Sequence, residues 1–128
     1  MQLDIVRTID SAEAPSLAPD DRPIDLVHLA RMTLGDRSLE REVLRLFDRQ
    51  STLLIARMRS AAPAGLATLA HTLKGSARGI GAWRVARAAE ALELAGSVGP
   101  DAVADALDQL AAASEEARAV IAELLLPN

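Results

Sequence analysis

The sequence predicts an all-α protein, an antiparallel four-helix bundle with a short extra helix and an N-terminal arm. Three observations predict it. Half of the residues are apolar, yet the chain holds one Trp, one Phe and no Tyr; alanine, leucine and arginine dominate, which favours packed helices over sheets. Apolar residues recur at spacings of three and four over long stretches, the period of a helix with one buried face. Punctuation by Gly35, Pro63, Gly81 and Gly99-Pro100 divides the chain into pieces of helical length.

The 128 residues suit one domain with a core that needs no staples. Without cysteine there is neither a disulfide frame nor a thiolate site. A formal net charge of −4 argues against a general nucleic-acid surface, and no aromatic platform is present for single strands. No apolar run approaches the ~20 residues that span a bilayer. Met1-Gln2-Leu3-Asp4 opens with an early acid and no apolar core of signal-peptide length, so the expected compartment is the cytoplasm.

Residues 1–22 read as the arm, and residues 23–128 as the bundle. The arm has a short apolar patch (Leu3, Ile5, Val6, Ile9), then prolines among acids and small residues. Asp25 can cap a short helix that ends near Leu34, with Gly35 as its terminator. His28, within it, has no second ligand at metal spacing and reads as a surface or half-buried residue.

Asp36 then caps a long helix to about Ser60, with Leu39, Val43, Leu46, Gln50, Leu54 and Arg57 or Met58 as the expected inner stripe. Its arginines read as a solvated face, with Glu40, Glu42 and Asp48 as partners. Pro63 suits the first turn of the next helix. Gly79 and Gly81 are expected to break or bend that helix before another runs from about Ala82 to Gly96. There Ala82, Val85, Ala89, Leu92 and Gly96 form the inner stripe, while Trp83 points away from it, exposed or packed on its own chain under the arm. After the turn at Gly99, Val103, Leu107, Leu110, Ser114, Ala117, Ile121 and Leu124 trace the seam of a last helix. That seam is expected to be the fourth wall of a monomer's core.

The informative stretch is residues 66–82. Leu66, Leu69, Leu73, Ala77 and Ile80 make a core stripe. His71, Lys74, Gly75 and Arg78 fall on the opposite side, with Ala67 and Thr68 a turn earlier. Lys74 is the sole lysine, against thirteen arginines. Gly75 inside a helical pattern costs roughly 1 kcal/mol relative to alanine, which close approach of another body would offset. An imidazole is nucleophilic near neutral pH.

His71-Thr72-Leu73-Lys74-Gly75-Ser76, followed by Gly81-Ala82, resembles the signature of histidine-containing phosphotransfer (HPt) domains of bacterial phosphorelays. Ile24-Asp25, Leu34-Gly35-Asp36 and Leu44 to Phe47 resemble the family's opening helices, and Ala89 to Glu93 the helix after the histidine. The resemblance implies the same bundle. It implies that His71 accepts a phosphoryl group from the aspartate of one receiver domain and passes it to another. The receivers would belong to a hybrid histidine kinase or a response regulator.

In such domains a Gln or Glu on the following helix hydrogen-bonds the non-phosphorylated nitrogen. The resemblance assigns that role to Glu93, twenty-two residues on, with Glu90 the next candidate. It gives Lys74 the neutralisation of phosphate oxygens, and to Gly75, Arg78, Ala67 and Thr68 the surface where the partner docks. No cofactor of its own is implied, since the Mg²⁺ would come with the receiver.

The absence of a glycine-rich phosphate loop argues against self-phosphorylation from ATP, so a phosphocarrier rather than an enzyme is expected. Three rivals are weighed against it. One is an adaptor that docks a receiver or kinase without carrying phosphate. Another is a hydrolase using His71 as general base, which a histidine on a convex helix face encloses poorly. The third is the phospho-accepting domain of a chemotaxis-type kinase; a chain ending at Asn128 favours a free-standing carrier instead.

Overall fold

Aspartates and prolines start four of the five helices among the described residues. In the computed structural model, which describes residues 22–127, five helices follow one another: α1 (Leu26–Met32), α2 (Arg37–Ser60), α3 (Pro63–Ile80), α4 (Trp83–Ala95) and α5 (Pro100–Leu124). Among the described residues there is no strand. The expected arm lies outside them, apart from its last residue.

Asp25 Oδ1 accepts the His28 N–H at 3.1 Å and Asp36 Oδ1 accepts the Leu39 N–H at 3.0 Å, satisfying donors that a helix start leaves open. Pro63 and Pro100 occupy the first turns of α3 and α5, where no amide hydrogen is missed.

Two helix ends differ from expectation. α1 stops at Met32 because Leu34 (φ 55) and Gly35 (φ 76) are both left-handed, so the turn begins before the glycine. Gly79 does not interrupt α3. Gly81 alone ends it, at φ 85, with the Ala82 N–H closing back on the Ala77 carbonyl at 2.8 Å.

α2 packs on α3 and α5, and α4 packs on α3 and α5, closing a ring of four helices with short connections. Cross-links between α2 and α5 show their antiparallel register. At the start of α2, Arg41 donates to the carbonyls of Leu124 (3.3 Å) and Leu125 (2.6 Å) at the end of α5. Midway, Arg118 Nε meets Asp48 Oδ1 at 2.7 Å, and at the far end Arg59 lies 3.9 Å from Asp108. Arg41 thus serves open carbonyls at the negative end of a helix. Asp48 finds its partner on α5 rather than among the arginines of its own helix.

The expected stripes of α3 and α5 are buried at Leu73, Ala77, Ile80, Leu110, Ser114, Ala117 and Ile121. On α4, Val85, Ala89 and Leu92 are buried; Ala95 takes the place expected of Gly96, which is exposed at the helix end. α2 is rotated from its expected setting. Its buried arc is Leu44, Phe47, Ser51, Leu54 and Met58, while Leu39 and Leu46 are exposed. Both arcs have helical period. The one that buries Phe47 and Met58 removes more apolar area, and it leaves Gln50 and Arg57 out of the core.

α1 lies against α3, where the Asp25 N–H donates to the Gly81 carbonyl at 2.9 Å. Trp83 is half-buried there, edge-on to His28 with ring centroids 4.8 Å apart, and its Nε1–H donates to Asp25 Oδ2 at 2.9 Å. Its packing on its own chain is therefore against α1. The indole hydrogen bond, then the His28 N–H, hold the Asp25 carboxyl below its usual range.

Two glycine substitutions separate backbone freedom from helix propensity. A Cβ at Gly81 would stand 3.0 Å from both Cβ and O of Asp25 on top of the left-handed strain. Gly81→Ala is expected to lower stability by about 3 kcal/mol. A Cβ at Gly79 meets nothing within 4 Å, so Gly79→Ala is expected to raise it by about 0.5–1 kcal/mol. Urea unfolding of the two variants, followed by circular dichroism, reads both shifts.

Candidate functional site

The site lies along the seam between α3 and α4. Pro63 and Gly81 delimit α3 and place His71 in its middle, and the Gly81 turn returns α4 antiparallel beside it. Ala70 and Ala77 on α3, with Ala86 and Ala89 on α4, are all buried. Side chains this small let the two backbones approach closely. Glu93 on α4 then reaches α3 with both carboxylate oxygens.

Glu93 Oε2 lies 2.8 Å from Nδ1 of His71, and Oε1, otherwise without a partner, has Nζ of Lys74 at 2.5 Å. Exposure is uneven. The side chains of Lys74 and Glu93 are 14% and 19% exposed, that of His71 70%. Lys74 is therefore folded down against the carboxylate, not standing out beside His71 as the face assignment from sequence has it.

The Lys74 ammonium hydrogen bond is the main cause that holds the Glu93 carboxyl below its usual range; the bond to His71 adds to it, and burial opposes both. An ionised carboxylate only accepts, so Nδ1 carries the hydrogen, and in the neutral ring Nε2 is the nitrogen left with a lone pair. The arrangement presents a solvent-facing imidazole in one tautomer. A carboxylate behind it stabilises positive charge that develops on the ring.

The neighbours divide between the two helices. Arg78 lies 3.6 Å from Glu90 in an exposed pair, so Glu90 is turned toward Arg78 and Glu93 toward His71. Ala67, Thr68 and Gly75 are exposed on the outer side of α3, and a Cβ at Gly75 would meet nothing within 4 Å. The surface around His71 is low and open.

Behind Glu93 a cleft of about 280 Å³ opens among Pro63, Leu66, Ala67, Leu92 and Val103. Three helices build it, so no local pattern in the sequence announces it. Among the described residues no three His, Cys, Asp or Glu side chains are grouped to hold a metal ion, and no helix is long and apolar enough to cross a membrane.

The two bonds of Glu93 predict two observables. Because the carboxyl is held below its usual range in the fold, it contributes stability that is present above the ordinary glutamate pKa of about 4.3 and fades as the pH falls through the lower folded value. The stability difference between the wild type and Glu93→Gln is expected to be constant above about pH 5.5 and to shrink below pH 4.3. Nitrogen-15 spectra of the histidines are expected to show His71 as the Nδ1–H tautomer, and Glu93→Ala to release that preference. Equal tautomer populations in both proteins would contradict the assignment.

No curated protein and no solved structure matches the chain. The family model of the Hpt domain matches residues 40–123, well over half of the chain, and takes in α3, α4 and nearly all of α2 and α5. Hpt domains act in phosphotransfer within phosphorelays, as phosphocarriers rather than kinases, and interact with receiver domains. With the four-helix ring and the carboxylate-oriented histidine in place, the match is decisive: the chain belongs to the Hpt domain family.

Proposed function

We propose that this chain relays a phosphoryl group between the aspartates of two receiver domains through Nε2 of His71, in the cytoplasm. The observation that carries the reading is the Nδ1 contact to Glu93 at 2.8 Å on a ring that is 70% exposed. The lone pair of Nε2 attacks the phosphorus of an aspartyl phosphate. An N–P bond forms, the acyl-phosphate P–O bond breaks, and the aspartate leaves as its carboxylate. Nδ1 keeps its hydrogen, the ring takes on positive charge, and Glu93 stabilises that charge from 2.8 Å. The reverse attack, by the carboxylate of the second receiver, returns the imidazole to its starting state.

In this reading Lys74 has a double part. Its ammonium fixes Glu93, and it supplies positive charge one turn from His71, where phosphate oxygens gather. Gly75, Ala67 and Thr68 keep the docking face low, and Arg78 borders it. The Mg²⁺ used in the transfer belongs to the receiver.

Incubation with a phosphorylated receiver tests the reading. An acid-labile, alkali-stable label is expected on the wild type and not on His71→Gln. Binding of the receiver without any label on the wild type would instead make the chain an adaptor.

Gly75 offers a second test, because stability and transfer should part company. Gly75→Ala adds a methyl group to open surface in a helix interior, so it is expected to raise stability by about 1 kcal/mol. The same methyl stands where the partner closes, and transfer from the receiver is expected to slow several-fold, more so for Gly75→Leu. Unfolding curves and single-turnover transfer rates measure the two effects. An unchanged rate in Gly75→Leu would remove the glycine from the docking face.

A further inference from the structure

α2 carries leucines on both sides. Its buried arc faces the core, while Leu39, Leu46 and Leu53 are 43%, 54% and 52% exposed. A single exposed leucine needs no explanation. These three are spaced by seven, so they drift only about 20° per step around the helix and form one row. A row of this kind is the seam along which helices pair.

The flanks of the row carry further information. Glu42 and Arg49, both exposed, lie one turn beyond Leu39 and Leu46, on the same side of the row. Neither is ion-paired within the described residues. The opposite flank carries the uncharged Val43 and Gln50 beside Leu39 and Leu46, and Arg57 only at the far end, beyond Leu53.

We propose that the row is covered by a second copy of this chain, with the two α2 helices antiparallel about a two-fold axis at Leu46. Turning a helix end over end about an axis in the interface sets Leu39 of each copy against Leu53 of the other. It also brings the same flank of both copies together, so Glu42 of each copy comes beside Arg49 of the other, twice by symmetry. A parallel pair would set that flank against Val43 and Gln50 and leave all four charges without partners. The sequence of α2 is thus self-complementary in one orientation only.

The row and its charged flank lie wholly on α2 and include no residue of α4 or of the seam that holds His71. One helix face per copy is a small interface, so the association is weak and concentration-dependent.

Sedimentation equilibrium of the full chain over two decades of concentration tests the proposal. The wild type is expected to pass from monomer to dimer, and Leu46→Asp to raise the midpoint concentration at least tenfold with its helical circular dichroism unchanged. Glu42→Arg and Arg49→Glu each put like charges together and are expected to weaken association. An equimolar mixture of those two variants restores opposite charges across the pair and is expected to associate more tightly than either alone. A monomer at every concentration would overturn the proposal, as would a dimer indifferent to Leu46→Asp or a mixture no tighter than its components. A wild type that stays monomeric, together with slowed transfer from a receiver in Leu46→Asp, would make the row a receiver contact instead.

Discussion

The close approach of α3 and α4 is the constraint on which the site depends. Ala70 and Ala77 on α3 and Ala86 and Ala89 on α4 are buried, and helix separation follows the size of the side chains between. A glutamate has a short reach. Were the two backbones one methylene further apart, Glu93 would meet neither His71 nor Lys74 at hydrogen-bonding distance, and the imidazole would lose its fixed tautomer. The Gly81 turn matters for the same reason. Its left-handed backbone sets where α4 begins, and with it the height at which Glu93 comes level with His71.

Within the site the polar groups are graded by depth. Lys74 and Glu93 are mostly covered and hold each other, whereas His71 is mostly in water. A half-buried carboxylate with one cation and one ring N–H is fully used, with one partner for each oxygen. This leaves a fixed group behind the ring and a free nitrogen in front of it, a division that suits the relay proposed for this side chain.

Much of the fold was legible because its signals are local. Asp25, Asp36, Pro63 and Pro100 mark helix starts through their own side chains, and the spacing of Leu110, Ser114, Ala117 and Ile121 has one solution. α2 was not, since its leucines and its Phe47 offer two arcs of the same period. Only the neighbouring helices decide which one turns inward. The short helix α1 ended early because Leu34 took a left-handed backbone that branched-chain statistics would give to Gly35 alone. At the site, the spacing of His71, Lys74 and Gly75 drew notice to the right helix. The inward fold of Lys74 depends on a carboxylate nineteen residues away, and no pattern within α3 contains it.

Trp83 is the chain's single tryptophan, and it stands on the joint between α1 and the α3–α4 turn, in contact with His28 and bonded to Asp25. The ultraviolet emission of the whole protein therefore comes from one indole at one seam. Its colour and intensity respond to whether α1 is seated, since unseating the helix would remove the imidazole and the carboxylate from the ring and admit water. The molecule carries a built-in optical label for the end of the bundle that also holds the last turn of α5, and that label needs no dye.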